Sequence, residues 1–373
     1  MTMAFELTSP AIIRCGAGTF SRIAEETARL GSRAVVVTGR HLHGSERIGS
    51  LVEEVATRGA QAFVAEPITG EPTVDMVDEL ASFAKAHKAD VMTAIGGGSV
   101  MDTAKAAAAM VTNEGKTADY QLKKREIVNP PIGQVVAPTT AGTGSEATRV
   151  SVLTNTEHQV KRSISHRLMT PAAVILDPEL TVSCSNYLTT VTAMDAFSHA
   201  IESAVSKKAN AYTRGIALAG VEQLNTGLPP CQNDPNDLGA RLACLVGSCF
   251  AGLSMQAGLG ASHSLAPAIC VVGGIRHSEA VAALLPHVIR LNERMCPRVY
   301  AQVERAMNCE VLARRITQLC ERGHFANNLS QFELGSSDWD EVLDAMNRYA
   351  SHRQTNPAEV TDAYAKDLFE TSL

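Results

Sequence analysis

The sequence has no surplus of basic residues: Lys and Arg total 33 against 39 Asp and Glu, a formal charge of −6 over 373 residues. That balance leaves no electrostatic footprint for a phosphate backbone, so nucleic acid is excluded as the expected partner. Nor is there a run of about 18 or more apolar residues, and the first residues, Met1 to Leu7, lack both a basic n-region and an apolar h-region. A cytoplasmic protein that neither spans a membrane nor binds one is expected. The nine cysteines are an odd count with no Cys-x-x-Cys pair, which argues against a disulfide framework or a zinc ribbon and for reduced thiols used in packing. Internal repeats and low-complexity segments are also absent.

What the chain does have is enough apolar material, 45% of residues against 19% charged, to bury sizeable cores, and a length that suits two domains. In the first half, strand-like runs alternate with helical patterns: Arg33 to Thr38, Ser45 to Arg58, Ala62 to Ala65, Val74 to His87, Val91 to Ile95 and Ser99 to Val111. Such alternation predicts a parallel sheet flanked by helices. Ala172 to Pro178 reads as its last strand. Beyond about Cys184 the strand signals fade into long Ala/Leu-rich helical patterns, broken by a polar loop expected around Pro229 to Pro235 and by glycines near 258 and 273. The fold class is therefore α/β plus all-α: a Rossmann-like domain over residues 1–183 and a helical domain over 184–373.

Three segments carry chemistry. Val91 to Lys105 reads as a buried strand, the turn Gly96-Gly97-Gly98, and an Ala-rich helix from Ser99 that contains Asp102. Glycines allow a pyrophosphate close to the backbone, and the free N–H groups and dipole of a helix start attract it. The turn matches neither the G-x-G-x-x-G fingerprint nor a P-loop, and a glycine triplet is as often only a turn. Lys105, two turns into the helix, either reaches a phosphate or stands in solvent. Val135 to Glu146 follows an apolar strand and offers Thr139, Thr140 and Thr143 at a strand's carboxyl end, the edge where open α/β sheets bind ligands. The third segment, Val191 to Glu202, has no Gly or Pro and places Asp195 and His199 at i,i+4, on one helical face. Such a pair alone is commonly a surface contact. With His263 and His277, both in small-residue surroundings, it makes one carboxylate and three imidazoles, a set suited to Fe(II) or Zn(II) rather than Mg or Ca.

In their order and spacing, these motifs, with Leu176-Asp-Pro-Glu-Leu180, Leu284-Leu-Pro-His-Val288 and Asn356-Pro357, resemble the iron-containing, group III alcohol dehydrogenases. The resemblance covers essentially the whole chain, from a strand-like Phe5 to Cys15 region onward. It implies the dehydroquinate synthase-like architecture, with a metal on Asp195, His199, His263 and His277. It also implies that Gly96, Gly97, Gly98, Ser99, Asp102, Thr139, Thr140, Thr143 and Lys161 contact an NAD(P)(H) dinucleotide. The implied reaction is reversible hydride transfer to a small aldehyde or from its alcohol, by a homodimer. A dehydroquinate synthase-like lyase and a cofactor-binding relative without turnover are the alternatives.

Four features depart from that family's pattern. Pro267 stands where many relatives carry a second histidine, four residues after the position of His263. Arg276 replaces a common Pro before His277, and His352 and Arg353 precede Asn356. Both arginines read as solvated groups or as binders of an anionic substrate, since guanidinium grips carboxylates in bidentate fashion. The strand ending in Thr38-Gly39-Arg40 lacks an acidic residue for the ribose 2′-hydroxyl, so NADP(H) is expected to be tolerated.

Overall fold

The computed structural model describes residues 5–158, 160–349 and 352–373. It divides into two compact units, the first comprising Thr8–Thr140 with Ser145–Thr181, the second comprising Val182–Leu373 with Ala141–Gly144 and the N-terminal residues up to Leu7.

The first unit runs β1 (Ile12–Cys15), α1 (Arg22–Leu30), β2 (Arg33–Thr38), α2 (Glu46–Thr57), β3 (Gln61–Val64), α3 (Val74–Ala86), β4 (Val91–Gly96), α4 (Gly98–Thr112), α5 (Thr117–Gln121), β5 (Gly133–Pro138), β6 (Val150–Asn155), β7 (Val160–Ser165) and β8 (Ala173–Leu176). Six strands form one parallel sheet in the order β1-β8-β5-β4-β2-β3. This is the expected Rossmann-like fold. Its central strands are buried on both faces, β4 throughout and β2 from Ala34 onward, which is why they read as unbroken apolar runs rather than alternating ones. Ile23, Ile48, Leu51 and Val55 from the helices pack on Val36, Ile95, Val135 and Ile175 from the sheet.

Two expectations need correcting here. The strand expected from Phe5 begins only at Ile12, whose N–H donates to the Ala172 carbonyl at 3.2 Å; Pro10, just before it, has no N–H to join a ladder. The antiparallel hairpin of β6 and β7, in which Thr154 faces Lys161, was not expected. Its short strands alternate weakly and lie between two stronger parallel strands.

The second unit is helical: α6 (Asn186–Val205), α7 (Ala211–Asn233), α8 (Leu238–Ser254), α9 (Ala261–Gly273), α10 (His277–Asn292), α11 (Pro297–Ala306), α12 (Leu312–Arg322), α13 (Trp339–Tyr349) and α14 (Asp362–Thr371). Ser185 starts α6 by accepting from Leu188 N at 3.1 Å, and from Thr189 to Val205 only Thr192 is less than fully buried. A helix enclosed all round is the centre of its unit. Met194, Phe197 and Ile201 lie in a core shared with Leu224, Leu265, Leu285, Ile316 and Phe369. The stretch Leu238–Ala257 is long and apolar enough to cross a membrane, but its apolar content is explained by packing against α7.

The loop expected over Pro229 to Pro235 is also corrected, because α7 continues through Pro229 and Pro230 to Asn233. Each proline removes one helical hydrogen bond, yet Leu228 and Cys231 on either side are buried. Gly220 and Gly227 also bring α7 so close to α8 that a Cβ at Gly227 would stand 2.6 Å from the Ala240 carbonyl oxygen. Tertiary packing outweighs local propensity here.

Candidate metal centre

Asp195 and His199 project from one face of α6, His263 lies in the first turn of α9, and His277 is the first residue of α10. These three helices belong to the same unit, so all four side chains meet within it. The Nε2 atoms of His263, His199 and His277 stand 3.6, 3.7 and 3.9 Å from a single atom, Asp195 Oδ1. Donors bound at 2.0–2.2 Å to a tetrahedral ion stand about 3.3–3.6 Å apart, so the spacing is that of a ligand shell slightly opened. One donor atom from each of Asp195, His263 and His277 lies within 4.8 Å of the other two. The His199 ring stacks on that of His263 at 4.6 Å between centroids. Helical spacing placed the first two residues together; the other two, which the family resemblance implied, come to them at the starts of α9 and α10.

The polar atoms fit a divalent cation. Asp195 Oδ1 and His263 Nε2 are buried with no hydrogen-bond partner, an expensive condition unless a cation satisfies both. Burial favours the neutral Asp195 carboxyl, but its interactions with His199, His263 and His277 outweigh it and hold the group well below the usual carboxylate range. For His263, burial works downward while Asp195 and Glu202 together push the ring up to about 9. At 3.6 Å its Nε2 is too far from Asp195 for a hydrogen bond, so that attraction is one of charge. His199, dominated by burial, is lowered to about 4 and stays neutral. The pocket thus calls for positive charge while keeping an imidazole lone pair available. His277 is the most open of the four, its side chain 29% exposed against 6% or less for the others.

Sequence reasoning passed over Glu202. It sits seven residues after Asp195 and three after His199, on the same helical face, and its carboxylate accepts from His263 Nδ1 at 2.8 Å. That periodicity was the available signal.

In the sheet unit, β4 turns into α4 through Gly96 and Gly97. A Cβ at Gly96 would stand 2.5 Å from the Val100 side chain, and no side chain caps the start of α4. Thr139 N donates to the Gly96 carbonyl at 3.0 Å, and Thr140 lies against Gly97. Gly96, Gly97, Gly98, Ser99, Thr139 and Thr140 are thus gathered at the carboxyl ends of β4 and β5. Asp102 accepts from Ser145 Oγ at 2.5 Å and from Val152 N at 2.8 Å. Lys161, on β7, pairs with Glu71 at 2.7 Å. Thr143 belongs to the helical unit. Lys105 does not stand in solvent: fully buried, its ammonium donates to the carbonyls of Ser145 and Val150 and to Thr148 Oγ1.

A model of the iron-containing alcohol dehydrogenases matches residues 10–178, and a model of the C-terminal region of the Fe-containing alcohol dehydrogenase family matches residues 189–373. The chain belongs to the iron-containing alcohol dehydrogenase family. Among the dehydrogenase's relatives is the probable alcohol dehydrogenase EutG of Escherichia coli, 31% identical over 300 residues, which are 80% of this chain and 76% of that one. Among solved structures, 1,3-propanediol oxidoreductase superposes with a TM-score of 0.93 at 26% identity, covering all of both chains. Sulfoacetaldehyde reductase from Bifidobacterium kashiwanohense, in complex with NAD+, does so with a TM-score of 0.90 at 27% identity over 98% of each.

Proposed function

We propose that this dehydrogenase interconverts a small alcohol and its aldehyde with a nicotinamide dinucleotide, and that Asp195, His199, His263 and His277 hold a divalent iron or zinc ion. The observation that carries the reading is the convergence of three imidazole Nε2 atoms on one buried, unpartnered carboxylate oxygen. A bound ion would supply Lewis acidity toward the substrate oxygen. The protein's own share is to hold that ion in a buried setting where charge interactions are strong. Gly96 to Ser99, Asp102, Thr139, Thr140, Thr143 and Lys161 are proposed to bind the dinucleotide, the phosphates at the uncapped start of α4. Pro267, one turn after His263 within α9, offers no titratable group, so the proton for the product comes from water, a ribose hydroxyl or another side chain.

The finer points are read from single residues. No acidic residue ends β2, and Arg40 and His41 beyond it are exposed, a setting that accepts the 2′-phosphate of NADP(H) as well as NAD(H). Of the two arginines considered for an anionic aldehyde, Arg353 is taken up by Asp362 and Asn347. Arg276, exposed at the start of α10 next to His277, is the better choice. The similarity to a sulfoacetaldehyde reductase supports an anionic substrate. A homodimer in the cytoplasm is proposed as the working form.

After reconstitution with Fe(II) or Zn(II), the absorbance of reduced nicotinamide is followed with neutral and anionic aldehydes and both cofactors. Net cofactor oxidation is expected, and it is expected to vanish in Asp195→Ala together with the bound metal. Cofactor binding without turnover would instead favour a lyase or an inactive relative.

A further inference from the structure

Glu202 is 2% exposed, and its carboxylate meets three donors, of which only the His263 ring can carry a charge. Oε1 accepts from Ser262 N at 2.7 Å, and Oε2 accepts from Gly260 N and from His263 Nδ1, both at 2.8 Å. Gly260 has no side chain with which to cap α9, and a Cβ there would lie 3.1 Å from the Glu202 carboxyl carbon and 2.7 Å from Asn356 Oδ1. The start of α9 is therefore capped from outside, Ala261 N donating to Asn356 Oδ1 at 3.1 Å. Capping explains the two amides that Glu202 takes but not the imidazole. A neutral imidazole that donates from Nδ1 carries its lone pair on Nε2, and His263 Nε2 is the atom that faces Asp195 Oδ1 with no other partner.

We propose that Glu202 is a positioning residue: its hydrogen bond holds His263 as the Nδ1–H tautomer and so makes Nε2 a metal ligand. This rests on the proposed metal centre and extends it to a fifth side chain. In Glu202→Gln the shape is kept but one oxygen becomes an NH2 group. If that group replaces Oε1, it confronts the Ser262 N–H, donor against donor. If it replaces Oε2, it confronts the Gly260 N–H, and His263 can accept from it only by moving its proton to Nε2, the form that cannot bind a metal.

Metal-depleted wild type, Glu202→Gln and Asn356→Ala are titrated with Co(II) against a chromophoric chelator, with visible absorption and paramagnetic proton NMR as readouts. Wild type is expected to bind one Co(II) and to show a slowly exchanging imidazole N–H from His263. Glu202→Gln should bind about 10–100-fold more weakly and lose that resonance. Asn356→Ala, which disturbs the same helix start without touching the imidazole, should bind close to wild type. Equal binding by Glu202→Gln and wild type, or equal weakening in both variants, overturns the proposal while leaving the metal centre in place. A wild type that takes up no Co(II) overturns both. Should Glu202→Gln not fold, nitrogen NMR of Zn(II)-loaded wild type decides: His263 bound through Nε2 with a proton on Nδ1 supports the assignment, and binding through Nδ1 refutes it.

Discussion

Lys105 is completely buried, and an ammonium so placed has to find oxygen atoms inside the protein. It finds Asp102 Oδ1 at 3.3 Å, the Ser145 carbonyl at 2.9 Å and Thr148 Oγ1 at 3.2 Å, and so ties α4 to the segment entering β6. Beside it lies Glu146, 1% exposed, with Oε1 unpartnered. Burial raises this carboxyl from 4.5 to about 7, despite opposing contributions from its own backbone and from Lys105. Between those two values the unfolded chain releases a proton that the folded chain keeps. Stability should therefore fall as pH rises through that window, by up to roughly 3 kcal/mol, and level off above it. In Glu146→Gln that part of the slope should be missing from urea unfolding curves measured between about pH 5 and pH 7. Parallel slopes in the two proteins would reject the assignment.

The same residues show what a sequence can and cannot disclose about a site. Asp195 and His199 were legible because helical periodicity is local, and Glu202 was legible on the same count though unread. Their convergence with His263 and His277 depends on how three helices pack, which no spacing encodes. Lys105 was misread because nothing near it in sequence announces the carbonyls of Ser145 and Val150 that receive it.

Among the elements, α7 and α8 show how much close approach decides. A Cβ at Gly247 would lie 2.7 Å from Leu224 Cγ and 2.9 Å from both Leu224 N and the Gly220 carbonyl oxygen, whereas one at Gly215 would meet nothing within 4 Å. Alanine is favoured over glycine inside a helix by about 1 kcal/mol, while overpacking a tight contact costs about 1–3 kcal/mol. Gly215→Ala should therefore raise the unfolding midpoint and Gly247→Ala should lower it, although both are glycine-to-alanine changes inside helices. Two shifts of the same sign would contradict the packing described. That approach also explains why the prolines of α7 misled the sequence reading: a breaker predicts a loop only where packing does not hold the helix beyond it. The parallel strands, by contrast, were plain because burial on both faces writes a continuous apolar run. The weak alternation of β6 and β7 left no such mark.

For the whole molecule, a metal on Asp195, His199, His263 and His277 would clamp the middle of α6 to the starts of α9 and α10. Binding to the folded state alone adds about 2.7 kcal/mol of stability when free metal is a hundredfold above its dissociation constant. Chelation should lower the unfolding temperature and speed amide exchange in α6, α9 and α10, while amides of β2, β4 and β5 stay protected. Uniform loss of protection, or none, would argue that the ion does not join those three helices.

Ala141–Gly144 falls with the helical unit although it is flanked on both sides by residues of the sheet unit. Gly142 rests against Thr192 of α6, and Gly144, with φ of 60°, rests against Gly252 of α8, so tightly that a Cβ would stand 2.8 and 2.6 Å from them. A fragment cut at Val182 would be born with a notch along its central helix, and water would reach the turn below Asp195. Anyone wishing to express the helical unit by itself must graft this tetrapeptide back, as a tether or a supplied peptide, before asking whether it holds iron.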